Sequence, residues 1–447
     1  MKIEIKSNYL VFPVNKRLPE KRLVLMCEEK CVFDSLLRLD GKSPDGYAYI
    51  DVSLFAGKTV EAFAEPDMLI KYESSDAPEC AYDFMRPKIH YSPRFGKLAQ
   101  PLSFWCKDDV YSLSYNSDKY SLSDTDAVST VQSRNLLLWN ESKAPVSGRA
   151  VGIRGQLCPA LKEYVYAEHI EDCTYAIMKH NGYSEPETFC KVRLPGENCG
   201  AQLFCMNVSG EEKKSVWILY GAHGNYAVGN FLGGTFYISG DVGRLDYGTS
   251  CLGASVIYDR ERCRYVRVAC DNCASDFNGF CGQLLIPNEL SVVKKDGEYL
   301  LCAKPIAELD DLCADKSVYE NVDVKQGHAV SFKLGESAYK IVIQGKRTGV
   351  GKLNFKLFGM DFCINHTNGF FEKGLKYAPV SSESEMFEVT LICDSSSLEV
   401  FLDGGRRCMA FCEQFCDYNT PSLCVSASDA DCVISRLEIQ RLSTVYR

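Results

Sequence analysis

Residues 216–236 read VWILYGAHGNYAVGNFLGGTF. Two runs of apolar, aromatic and β-branched residues flank a short glycine-bearing tip, and a Gly-Gly pair follows the second run. Such residues suit a pleated, half-buried surface, and glycines supply the turns between strands. The stretch therefore predicts two short strands joined by a tight turn, with a second turn after them.

The same texture extends outward in both directions. RLVLMC, YAYIDVSLF and VYSLSY lie upstream, and ASVIYD, YVRVAC, YLLCAK, AVSFKL, YKIVIQG, KLNFKLF, FEVTLIC and LEVFLDG downstream, with turn signals such as DG, HNG and GEN between strand candidates. Long stretches of 3.6-residue period are nearly absent, so the chain reads as all-β. Regular short strands predict a sandwich, barrel or propeller. No strict repeat is visible, so propeller blades would have to be divergent.

A length of 447 residues predicts two to four domains. We divide the chain into a first β unit at 1–85, a middle unit at 86–308 and a last unit at 309–447. The polar, proline-containing stretch SSDAPECAYDFMRP (74–87) reads as a linker, and CAKPIAELDDLC (302–313) as a short connecting helix. The formal net charge of −9 disfavours a nucleic-acid partner, which needs a basic surface, and a polybasic membrane anchor. It is neutral about sugars. No signal-peptide pattern opens the chain and no apolar run reaches membrane-spanning length, so a cytoplasmic location is expected.

The 23 cysteines are an odd number, which reads as reduced thiols acting as small buried hydrophobes rather than as a disulfide framework. Cys270 and Cys273 form a CxxC, with Cys263 and Cys281 nearby, but a second knuckle is missing and the six histidines are scattered. Neither a metal nor a cofactor is expected. Cys408, Cys412 and Cys416 repeat every four residues and would share one face of a helix, or carry no pattern in a loop. The middle unit has no GxSxG, HExxH or P-loop.

Several blocks, in order, carry a resemblance. They are IHYSPRFGKLAQP (89–101), DVYSLSYNSD (109–118), DAVSTVQSRNLLLW (126–139), the 216–236 stretch, LDYG (245–248), FNGFCGQLLIPNEL (277–290) and CDSSSLEVFLDGG (393–405). They resemble the motif series of glycoside hydrolase family 32, the invertase, levanase and inulinase group, and INHTNG (364–369) resembles a further sandwich motif of that family. The first unit resembles the accessory β domain before some family levanases. The resemblance implies a five-bladed β-propeller, its blades trimmed where the Gln100-to-Cys199 interval is short, followed by a C-terminal β-sandwich and preceded by a small β domain.

Family members cleave β-fructosides with retention, using acidic residues in the propeller funnel. Carried over position by position, the nucleophile falls on Gln100, with Ala99 before it and Leu102-Ser103 after Pro101. The transition-state aspartate falls on Asp172, between Glu171 and Cys173. The acid/base glutamate falls on Cys199, two residues after Glu197, and its aspartate neighbour on Gln202. The family glutamine falls on Asn116 and a site tryptophan on Cys270. A neutral amide cannot form the glycosyl-enzyme ester, and a thiol is a poor substitute for a tuned carboxylic acid. Loss of either group costs on the order of 10³-fold in rate or more.

Three functions are therefore compatible with the sequence. The first is a family 32-like protein without ordinary β-fructosidase activity that binds a fructan or related sugar in its funnel. Gln100, Asn116, Cys199, Gln202, Asp246 and Asp271 are its substrate-binding candidates, with Trp105, Tyr111, Tyr115 and Tyr226 as lining aromatics. The second is an active glycosidase with a rebuilt site, for which Asp172 and Glu197 are the catalytic candidates and Asp246 and Asp271 further carboxylates. The third is a structural or partner-binding protein, self-associating through its flanking units, with a funnel filled by side chains such as Leu102 or Phe104.

Overall fold

The computed structural model describes residues 1–446 apart from 16, 45, 67, 77–85, 94–95, 119–126, 142–154, 250, 276–279, 347–348, 381–385 and 414–422, and only the backbone of 118, 127, 212, 252 and 272–275. The linker expected over 74–87 therefore falls largely outside the described residues.

Strands dominate, as the alternating patterns predict. Near the N-terminus, Lys2–Glu4, Lys21–Cys27, Lys30–Leu37 and Thr59–Glu65 form one sheet, and Tyr9–Val14, Gly46–Asp51 and Glu73–Ser75 form a second. Alternation sets the faces: in TVEAFAE, Val60, Ala62 and Ala64 point inward, and in KRLVLMC it is Leu23, Leu25 and Cys27. With Leu10, Phe12 and Ile50 they make a core of their own.

From Gly96 to Pro305 the strands belong to the propeller. The first group is Gly96–Lys107, Val110–Asp118, Ala127–Ser133 and Asn140–Glu141. The second runs from Gln156–Cys158 to Glu187–Arg193, and the third from Ala201–Val208 through Glu211–Gly221 and Asn225–Leu232 to Thr235–Ile238. A last group contains Cys251–Asp259, Arg264–Ser275, Phe280–Leu284, Asn288–Lys295 and Glu298–Pro305. It fastens the propeller together: Phe280 and Cys281 pair with Gly96 and Lys97, and Val292 pairs with Val208. The first, third and last of these groups pair into one sheet, and the second forms a four-stranded sheet of its own.

Two six-stranded sheets follow, one from Cys313–Val324 to Cys432–Leu442 in chain terms and the other containing Lys352–Leu357 and Met360–Asn365. They enclose a core rich in large side chains, among them Phe355, Phe362, Phe371 and Phe387. Each such residue, fully buried, contributes about 1.5–3 kcal/mol. The connecting helix expected at 302–313 is a 3₁₀ turn, Ala307–Leu312. Cys408 and Cys412 lie on a strand, Arg407–Cys412, so the four-residue repeat marks no helix face there; Cys416 lies outside the described residues. Among the described residues nineteen cysteines are outside any disulfide, whereas Cys412 is disulfide-bonded, which the reading of reduced thiols did not anticipate.

Propeller and sandwich are joined by charge as well as by packing. His90 lies buried between two sandwich carboxylates, its Nδ1 2.8 Å from Asp394 and its Nε2 2.7 Å from Glu399. Asp394 also accepts the backbone N–H groups of Lys88, Ile89 and His90. The C-terminal segment returns to the same place, where the Tyr446 hydroxyl donates to the His90 carbonyl at 2.6 Å.

Candidate functional site

The 216–236 stretch forms the hairpin its sequence predicts, with Gly221 to Asn225 at the tip between Glu211–Gly221 and Asn225–Leu232. Two carboxylates explain why this tip carries glycines. A β-carbon at Gly221 would land on the Glu197 side chain, and one at Gly224 on the Asp246 carboxylate. Gly224 also has φ of +91°, a conformation that L side chains rarely adopt. Gly224→Ala is expected to cost about 1–3 kcal/mol through backbone strain, with the clash on Asp246 adding to it. The control Gly233→Ala, where φ is +59° and the space is open, should cost less. Urea midpoints of the two variants check the order.

Glu197 is wholly buried and held by the tip. Its Oε1 accepts the Asn225 backbone N–H at 2.8 Å and the Asn225 Nδ2 at 3.0 Å. Its Oε2 accepts the His223 backbone N–H at 3.1 Å and lies 3.1 Å from His223 Nδ1. Cys199, half-buried, brings its Sγ to 3.5 Å from the same Nδ1. Burial, with the Glu197 charge adding to it, pushes the Cys199 thiol up. Left to these surroundings Cys199 is a protonated thiol at neutral pH, a weak nucleophile. The Tyr175 hydroxyl donates to the Cys199 carbonyl at 2.6 Å and fixes that backbone.

On the other side of the tip, Asp246 is buried against Arg267, with Nη2 to Oδ2 at 2.6 Å. Burial pushes its carboxyl above the usual range, opposed by that guanidinium. Arg267 also donates to the Tyr220 hydroxyl at 2.7 Å and to Asn288 Oδ1 at 2.8 Å. The LDYG block thereby serves the propeller–sandwich junction: Asp246 bridges to Cys408, and Tyr247 and Thr249 donate backbone hydrogen bonds to Cys408 and Ala410.

The remaining candidates stand elsewhere. Gln100 is exposed on Gly96–Lys107, its Cβ close over Gly253. Asp271 is fully buried in the same sheet, paired across strands with Cys251 and Gln283. Asp172 is exposed in the two-residue turn between Glu163–Glu171 and Thr174–His180, with φ of 45°, and its carbonyl faces His169 Nε2 at 2.7 Å. Cys173 beside it accepts from the Leu194 backbone N–H, which ties this turn to the segment leading to Glu197. Gln202 is spent on the backbone of Val256, accepting its N–H at 2.6 Å and donating to its carbonyl at 3.0 Å. Asn116 is half-buried opposite Val128.

Thus the structure brings Glu197 and Cys199 together, with Asp246 behind the same hairpin tip. Of the four candidate carboxylates only Asp172 is exposed. The aromatic lining is corrected: Tyr111, Tyr115 and Tyr226 are buried core residues, Tyr115 bonded to the Tyr91 hydroxyl and Tyr226 to the Leu301 backbone N–H, because each strand turns that face inward. Trp105 is half-buried. Phe104 is buried and stacks on Tyr111, whereas Leu102 is exposed. In the CxxC region Cys270 and Cys281 are buried and Cys263 is exposed; the Cys273 side chain lies outside the described set. His223 and Arg267 were not singled out from the sequence. A histidine flanked by small residues at a hairpin tip, GAHG, is the one local signal that pointed to the former.

The sequence matches no family model and no curated protein. Solved structures do match in shape. The chain is similar to exo-inulinase from Aspergillus awamori at 10% identity, over 81% of this chain and 99% of that one, with a TM-score of 0.66. It is similar to fructofuranosidase from Schwanniomyces occidentalis, solved in complex with fructose, at 11% identity over 80% and 98%, with a TM-score of 0.65. For a family 32 β-fructofuranosidase from Bombyx mori the figures are 14%, 81%, 95% and 0.55. These likenesses establish the fold: a family 32-like β-propeller followed by a β-sandwich.

Proposed function

We propose that this chain uses a family 32-like propeller to bind a carbohydrate of the fructan type and that it lacks ordinary β-fructosidase activity. One observation carries the reading. A retaining glycosidase needs two carboxyl groups about 5–5.5 Å apart facing the substrate. The family resemblance puts Gln100 at the nucleophile position and Cys199 at the acid/base position, while Glu197, two residues before Cys199, is sealed under the 221–225 tip with both oxygens engaged. Asp246 is neutralised by Arg267, and Asp271 is buried. The complex of the Schwanniomyces relative with fructose supports a sugar as the ligand class. We also propose 85/86 and 308/309 as the unit boundaries, since the first unit and the sandwich each enclose a separate core.

The test is incubation of the purified chain with sucrose, inulin and levan for a day, beside an active invertase, with released fructose measured. No release above the buffer blank is expected, together with heat of binding when inulin or levan is titrated calorimetrically. Fructose release that disappears in Asp172→Ala and in Glu197→Ala would show a rebuilt catalytic site and end the proposal. Neither release nor binding would leave a structural or partner-binding role.

A further inference from the structure

We propose that Glu197, Cys199 and His223 form a binding site for a divalent cation of the zinc type. One donor atom from each lies within 4.8 Å of the others. Glu197 Oε2 and His223 Nδ1 are 3.1 Å apart, and Cys199 Sγ and His223 Nδ1 3.5 Å. A tetrahedral zinc with ligands at about 2.0–2.3 Å spaces its donors roughly 3.3–3.8 Å apart, so the cluster closes on such an ion with small side-chain adjustments. A thiolate, an imidazole and a carboxylate are also a donor set suited to zinc, whereas magnesium and calcium prefer oxygen alone.

Charge gives the second argument. Several buried carboxylates in this chain are matched by cations: Asp246 by Arg267, Asp259 by Arg264, and Asp394 by His90. Glu197, with a side chain 0% exposed, has no lysine or arginine within ion-pair distance among the described residues; its one such neighbour is His223. A buried charge is stable when it is paired or when it coordinates a metal. The surroundings also hold the donors in place. Asn225 fixes Oε1 through two hydrogen bonds, the His223 backbone N–H steers Oε2 to the side of the imidazole, and Tyr175 pins the Cys199 backbone. Such outer contacts orient metal ligands. Cys199 and the imidazole, 43% exposed, open the cluster to solvent, so a fourth position remains for water or a sugar hydroxyl. The pattern escapes sequence motifs because His223 comes from the neighbouring hairpin, 24 residues beyond Cys199.

The test uses the full chain, reduced and stripped with a chelator. Zn²⁺ titrated calorimetrically should bind one ion per chain at this site, and Co²⁺ should develop a thiolate-to-metal charge-transfer band. Zn²⁺ should shield Cys199 from iodoacetamide, read by mass spectrometry, while the exposed Cys31 and Cys263 stay reactive. Cys199→Ser and His223→Ala should each weaken Zn²⁺ binding by at least about 10–100-fold, the range already known for loss of an outer contact. Circular dichroism confirms that the variants fold; if either does not, the shielding of Cys199 in the unaltered chain decides. Absence of Zn²⁺ uptake, or uptake that leaves Cys199 fully reactive, would overturn the site.

Discussion

His90→Ala is expected to destabilise the propeller–sandwich unit by about 3–5 kcal/mol, the cost of stranding buried charge when one partner of an ion pair is removed. His90 and Asp394 side chains are both 0% exposed, and Glu399 is nearly so. Without the imidazole, two carboxylates from the sandwich would face an empty pocket. Asp394 would keep the N–H groups of Lys88, Ile89 and Ser395, and Glu399 that of Ile286, but no cation would remain between them. Urea unfolding should show a lower midpoint for propeller and sandwich together. An unchanged midpoint would mean that the junction is held by packing alone.

The same triad sets a pH dependence. Burial disfavours the charged imidazole, yet the hydrogen bonds and charges of Asp394 and Glu399 outweigh it and raise His90 to about 10. A raised folded-state value contributes stability that is complete below the unfolded value of about 6.5 and is lost as pH rises toward 10. For Asp394 burial acts upward, but His90 and the backbone N–H groups hold it below the usual range, so its contribution fades only at acid pH. Between pH 6 and pH 8, stability should fall by about 2 kcal/mol through His90. The buried thiols, whose unfolded value is about 8.5, act only above that window. His90→Ala should flatten this limb, and a wild-type profile already flat from pH 6 to 8 would refute the protonated state.

How much of this was legible varies with the range of the contacts. The hairpin at 216–236 follows from local alternation and glycine, and so do the strands of the first unit and the sandwich. The propeller-plus-sandwich architecture was legible through the ordered blocks, because each block marks a strand and its turn. The site was less so. Gln100 and Cys199 fall where the family resemblance would put two carboxylates, but burial of Glu197 under Gly221 depends on a hairpin 24–28 residues away. His90 and Asp394 sit inside two quoted blocks, yet they are 304 residues apart, and no periodicity reports such a pair. The tyrosines misled for a related reason: strand patterns show that one face is apolar without telling a funnel from a core, and Tyr115 and Tyr226 went to the core.

Arg267→Met should be nearly as costly as loss of His90, about 3–5 kcal/mol, for a reason that also separates architecture from chemistry at the LDYG block. The guanidinium is 2% exposed and cannot give up its proton, so it stays a cation in the core. From the strand Arg264–Ser275 it reaches Tyr220, Asn288 and Asp246, three other segments of the propeller. Removing it strands the Asp246 carboxylate, which burial already pushes toward protonation. Replacing the pair together, Arg267→Met with Asp246→Asn, should recover much of the loss, because an uncharged pair carries a smaller desolvation penalty than a lone buried charge. The double-mutant cycle should then give a coupling of about 0.5–3 kcal/mol, whereas additive losses would show that the two residues act independently. If the double variant regains stability and its fructan titration matches that of the unaltered chain, Asp246 is a structural counter-ion of Arg267. A selective loss of sugar binding in a stable double variant would instead return Asp246 to the substrate-binding set.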